Sequence, residues 1–220
     1  IMDDDIISPK PQIDIFVKDQ SSFLLLNDIN LIDLKLFSIG NQEIPIQQNE
    51  LNFTTDQVSN TMKLLYTPTL VDGEYRLEVQ AKDKSGNKSG VNPYSIRFKV
   101  ITKNSVTQVL NYPNPFSTNT QFVFTLTGQD VPENFNISIY TLTGKLVKEI
   151  TKNDLGTLRI GTNRTSYKWD GTDEYGSKLA NGVYLYKVNI NDKSGKEYEQ
   201  MKTKVDDLFN QGFGKLVILR

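Results

Sequence analysis

Oxygen donors gather in three places where a hard cation such as Ca²⁺ could be held. These are Asp3, Asp4 and Asp5; Asp83 with Asn87; and Asp170, Asp173 and Glu174. None follows the alternating acidic spacing of a calcium loop, and Asp or Asn beside Gly is also what tight turns require. Metal ligand and turn former are competing readings of the same residues. Carboxylate pairs could serve as acid and base in glycoside hydrolysis, but nothing recommends one pair over another. Trp169 could stack on a sugar or close a strand inside a core. No glycine loop of the phosphate-binding kind occurs.

The 220 residues include no Cys and no His. That removes disulfides, thiolate nucleophiles, Cys-ligated metals and both the Ser-His-Asp and Cys-His arrangements. Secreted domains commonly but not always carry disulfides, so the missing Cys assigns no compartment. Charge is nearly balanced, 25 basic against 26 acidic residues, which leaves no single-sign field to attract nucleic acid or an anionic membrane. No apolar run approaches the roughly 20 residues of a membrane-spanning helix. The opening Ile1-Met2-Asp3-Asp4-Asp5 lacks the basic start of a signal peptide, and it reads as the beginning of a fragment of something larger. The residues assign no catalytic, cofactor-binding or metal-binding role.

The elements that would position these groups are strands. Around Trp169 the chain runs through turn residues, Asp170-Gly171, Gly176 and Asn181-Gly182. It then alternates: Tyr184, Tyr186, Val188 and Ile190 share one face, and Val183, Leu185, Lys187 and Asn189 the other. Period two marks a strand with one buried face. A Gly two residues before a buried Tyr suits a sandwich corner, with the hydroxyl returning to nearby backbone. The first half has the same grammar. Asp72-Gly73-x-Tyr75 precedes Asp83-Lys84-Ser85-Gly86 by the spacing that separates Asn181-Gly182-x-Tyr184 from Asp192-Lys193-Ser194-Gly195.

The expected fold is therefore all-β, two tandem immunoglobulin-like sandwiches over 1–103 and 104–220. Further strands are expected at Gln12–Lys18, Leu31–Ile39, Leu51–Thr54, Met62–Tyr66, Tyr94–Ile101, Gln121–Leu126, Phe135–Tyr140 and Leu146–Ile150. Pro113 and Pro115 make Val109–Phe116 an irregular edge segment anchored by Tyr112 and Phe116. Asn153–Gly161 reads as a long connection, and Val205, Leu208 and Phe209 give a short helical insertion near 202–210. The last run, Lys215, Leu216, Val217, Ile218, Leu219 and Arg220, is either a central strand or an exposed edge that could pair with another chain.

Four blocks carry a resemblance: Asn111-Tyr112-Pro113-Asn114-Pro115-Phe116, Ile139 to Val147, Trp169-Asp170-Gly171, and Asn181 to Tyr186. In order and type they resemble the FlgD-like immunoglobulin-type domain, and in particular the carboxy-terminal domains of type IX secretion proteins of Bacteroidetes. The first half is similar to bacterial immunoglobulin-like modules. The pair in tandem, ending Gly212-Phe213-Gly214-Lys215, is most similar to the tail of gingipain-like proteins of the PorU sortase type. That resemblance implies a non-catalytic interaction module of a larger surface protein whose peptidase fold lies upstream. It further implies an extracellular place at the outer membrane and docking onto an outer-membrane β-barrel of the PorV type, with 215–220 in contact. The family's catalytic Cys and His have no counterpart here. The insertion at 202–212 departs from the shorter hairpin usual in such domains. A glycan- or calcium-dependent adhesion module, or a spacer beside an enzyme, is the alternative.

Overall fold

The computed structural model describes residue 1 and residues 3–19, 26–191, 198–200 and 213–220. The chain divides into two compact units, Ile1–Thr102 and Lys103–Arg220. Both are two-sheet sandwiches of the immunoglobulin-like kind.

The first unit contains β1 (Asp5–Ile7), β2 (Ile13–Lys18), β3 (Ile32–Ser38), β4 (Glu43–Ile44), β5 (Leu51–Asp56), β6 (Thr61–Tyr66), β7 (Gly73–Ala81) and β8 (Tyr94–Val100). One sheet runs β1-β8-β7-β3-β4 and the other β2-β6-β5. The alternation of β7 buries Tyr75, Leu77 and Ala81, and the first two pack with Leu36, Tyr66, Phe98 and Val100 between the sheets. Leu residues at 31–36 are good helix formers, yet only a single 3₁₀ turn (Ile29–Leu31) precedes β3. Pairing with β7 along the whole length of β3 overrides that propensity.

The second unit contains β9 (Ser105–Tyr112), β10 (Gln121–Thr127), β11 (Asn134–Tyr140), β12 (Leu146–Ile150), α1 (Lys152–Leu155), β13 (Gly161–Arg164), β14 (Gly182–Asn191), β15 (Glu199–Gln200) and β16 (Phe213–Ile218). Its sheets run β13-β10-β9-β15 and β12-β11-β14-β16. Tyr184, Tyr186, Val188 and Ile190 are buried, as the period of β14 requires, against Phe122, Phe124, Leu126, Phe135, Ile137 and Ile139. Trp169 has no exposed surface; its ring lies 5.5 Å from that of Phe116, and its indole N–H donates to the Thr172 carbonyl at 2.9 Å. It is a core residue, not a sugar platform. Burying an aromatic ring of this size contributes on the order of 2–3 kcal/mol.

Several expectations need correction or placing. The expected irregular segment begins as strand: Val109–Tyr112 is the second half of β9, paired to β10 with a register shift opposite Phe124, and both prolines fall after the ladder ends. Phe116 is buried as an anchor, but Tyr112 is 65% exposed, with the Arg164 guanidinium lying over its ring. The Asn153–Gly161 connection overlaps α1. The helix expected at 202–210 and the turn at Asp192–Gly195 lie outside the described residues, and the chain returns after that turn as β15, parallel to β9.

Tyrosine corners close both units. The Tyr75 hydroxyl donates to the Val71 carbonyl and the Tyr184 hydroxyl to the Ala180 carbonyl, each four residues back and each at 3.0 Å. The half-repeat is thus a repeated structural device.

Candidate interaction surface around the last strand

β16 pairs antiparallel with β14 from Gly182↔Ile218 to Lys187↔Phe213. Its alternation divides the six residues expected to meet a partner. Leu216 and Ile218 are core residues with no exposed surface, while Lys215, Leu219 and Arg220 are exposed and Val217 is half-buried. Gly214 faces inward against the Tyr186 ring, where a Cβ would stand 2.2 Å from Cζ. Tyr186 is held there by its hydroxyl, which donates to the Val109 carbonyl of β9 at 3.0 Å.

β16 ends its sheet, but its outer edge is not open. The Asn114 side-chain amide donates to the Lys215 carbonyl, and its Oδ1 accepts from the Val217 N–H, both at 3.0 Å. The Phe116 N–H then donates to the Val217 carbonyl at 3.0 Å, and the Leu219 N–H donates to the Phe116 carbonyl at 2.9 Å. One side chain and one backbone residue thereby act as a neighbouring parallel strand, with Phe116 bridging Ile218. The first unit closes its last strand the same way, with β1 parallel to β8. At the opposite edge of the β16 sheet, the Glu174 N–H donates to the Val147 carbonyl and Glu174 Oε1 accepts from the Glu149 N–H. Such covers keep sheet edges from pairing with other chains. Nothing in the residue pattern identifies Glu174 as an edge cover. For Asn114 the one hint is an amide side chain between two prolines.

Arg220 is a clamp. Its guanidinium donates to the carbonyls of Leu179, Asp170 and Gly171, at 2.8, 2.6 and 3.2 Å. Asn181 exchanges two hydrogen bonds with the Arg220 backbone, both at 3.0 Å. The Trp-Asp-Gly turn, the Asn-Gly corner and the chain after β16 are thus joined.

The acidic residues serve turns, an edge cover and contacts with Arg97. Asp173 Oδ1 accepts from the amides of Tyr175 and Ser177, and Asp83 Oδ1 from those of Ser85 and Asn87, a shared five-residue turn with Gly at the fourth place. That Gly has φ of +80° at Gly176 and +86° at Gly86, a left-handed backbone that other residues rarely adopt. Hydrogen bonds from the Thr172 hydroxyl, the Glu149 amide and the Asn87 side chain hold Asp170, Glu174 and Asp83, respectively, below the usual carboxylate range. Asp3 accepts from the Arg97 amide, and the Arg97 guanidinium also meets Asp4. Among the described residues no three His, Cys, Asp or Glu side chains are grouped to hold a metal ion.

The outward face of the β12-β11-β14-β16 sheet has two parts. One is a polar ladder: Asn189 donates to Asn136 and Ser138, and Asn136 to Glu149. The other is apolar, with Leu146, Tyr140, Leu185 and Lys215 in one row across four strands and Val183 opposite Val217. Tyr140 meets Phe213 edge to face at 6.0 Å.

One family model matches, that of the FlgD Ig-like domain, over residues 114–194. The matched span holds the Trp-Asp-Gly turn, the Asn-Gly corner and β14. Among solved structures, the chain is similar to dimeric latent PorU from Porphyromonas gingivalis, with 20% identity and a TM-score of 0.40, over 100% of this chain and 19% of that one. It thus spans about a fifth of the PorU chain. It is also similar to the fibronectin(III)-like modules of Clostridium thermocellum CbhA, with 12% identity and a TM-score of 0.28, over 90% of this chain and 86% of that one. The titin domains z1z2 align at 12% identity and a TM-score of 0.22, over 92% and 93% of the two chains. No match was found among curated proteins.

Proposed function

We propose that this chain is a non-catalytic interaction module of a larger type IX secretion surface protein, extracellular and attached at the outer membrane. In this reading it docks its parent onto an outer-membrane β-barrel of the PorV type, and Lys215, Val217, Leu219 and Arg220 lie at or beside the contact. The observation that carries the reading is the convergence of the family-like blocks on one end of the second unit. Asn114 covers β16, Trp169 and Phe116 fill the core beneath it, and Asn181 bonds to Arg220 just beyond it. These residues build and hold a surface. Of the acidic residues that could suggest catalysis or calcium, Asp83, Asp170 and Asp173 are engaged in turns, Glu174 in an edge cover, and Asp3 and Asp4 with Arg97.

The test is titration of the immobilised 220-residue chain with a purified PorV-type barrel in detergent micelles. Saturable binding is expected. A chain that retains its near-ultraviolet dichroism yet binds no barrel would return the module to spacer or adhesion duty. Truncation before Gly212 is a poor test, since it strips Leu216 and Ile218 from the core.

A further inference from the structure

Resting on the docking reading above, we infer that the contact surface is the apolar half of the outward face of the β12-β11-β14-β16 sheet. The occupant it fits is a protein surface with an apolar centre flanked by carboxylates. Strand addition beside β16 is closed off along Lys215–Leu219, where the edge groups are already bonded to Asn114 and Phe116. A partner must therefore meet side chains. The solvent side of an antiparallel sheet is ordinarily polar, and the other half of this same face is. Here instead Leu146 is 47% exposed and Val183 40%, with Leu185 half-buried between them and Val217 half-buried beside Val183. Lys187 and Lys215 stand in that surface, and among the described residues neither has a carboxylate partner. Lys148, on β12 of the same sheet, is paired with Glu174. Covering two unpaired ammonium groups is unfavourable unless the partner supplies the opposite charge, so the face selects carboxylates around an apolar contact. An anionic lipid surface is the poorer fit, because basic membrane patches use roughly four to eight cations.

The experiment titrates the purified barrel onto the intact chain and onto Lys215→Glu, Lys187→Glu and Val183→Asp, with Lys99→Glu of the first unit as control. Each variant is first checked for an unchanged melt. We expect each face variant to weaken binding at least about tenfold, Lys215→Arg to retain it, and added salt to weaken the wild type more than the Lys215→Glu form. If the wild type binds and the folded face variants bind equally well, this face is wrong while docking stands. Vesicles of 7:3 phosphatidylethanolamine and phosphatidylglycerol form a second arm. Binding to them without the barrel would replace the protein partner by lipid. Binding to neither would remove the docking reading itself.

Discussion

Replacing Gly214 by Ala tests the closest packing in the second unit. In an ordinary strand the change is favourable by about 0.4–1 kcal/mol, because Ala restricts the unfolded chain. Here the new Cβ would lie 2.2 Å from Cζ, 2.5 Å from the hydroxyl and 2.6 Å from Cε1 of Tyr186. That ring cannot step aside freely: it is 2% exposed, packs edge-on against Phe122 at 5.0 Å, and its hydroxyl is bonded to Val109. Overpacking adds about 1–3 kcal/mol and displacing the buried hydroxyl about 1 more. Set against the chain-entropy gain, the net loss is about 1–3.5 kcal/mol. For a unit of this size that lowers the melting midpoint by about 4–14 °C, measured by calorimetry with the transition of the first unit as internal reference. The decisive comparison is a double-mutant cycle with Tyr186→Ala. With the ring removed, the Gly214→Ala change should cost less than about 0.5 kcal/mol. A Gly214→Ala variant as stable as wild type, or one equally damaging with and without the ring, would refute the argument.

Other perturbations probe the same packing. Asn114→Leu should destabilise the second unit by about 1–2 kcal/mol and expose the β16 edge, so concentration-dependent association should rise in sedimentation velocity. An unchanged sedimentation profile would mean that Phe116 alone suffices to cover the edge. Tyr75→Phe and Tyr184→Phe should each cost about 1 kcal/mol, and each should move only the melting transition of its own unit. The pH dependence has a definite sign. Glu174, Asp170 and Asp83 have folded-state values below their unfolded ones, so their contribution is complete above the unfolded range near pH 4. It is lost as pH falls through the depressed folded values, and melting from pH 7 to 3 should therefore show the drop below about pH 4. Glu174→Gln should flatten part of that drop, and a slope unchanged by it would remove Glu174 as a contributor.

Much of this molecule was legible in local pattern. The period of β14 marked Tyr184, Tyr186, Val188 and Ile190 as core because side chains in a strand alternate over two residues. The tyrosine corners and the Asp-x-x-Gly turns were equally readable, since each closes within five residues. Those local rules determined an all-β fold of immunoglobulin-like sandwiches, and the lack of His and Cys removed the commonest catalytic arrangements. Out of their reach was every pairing across long sequence separation. That Asn114 covers Lys215 and Val217, that Glu174 covers β12, that Arg220 clamps the Trp169 turn and that Gly214 must be Gly for Tyr186 all join segments from about twenty-five to a hundred residues apart. The last strand shows the limit most plainly. Its residue pattern allowed a central strand or an open edge equally well, because neither strand order nor edge cover is encoded in periodicity. Only the assembled sandwich could bring the Asn114–Phe116 segment beside β16, turn Leu216 and Ile218 inward, and leave Lys215 and Val217 on the outward face.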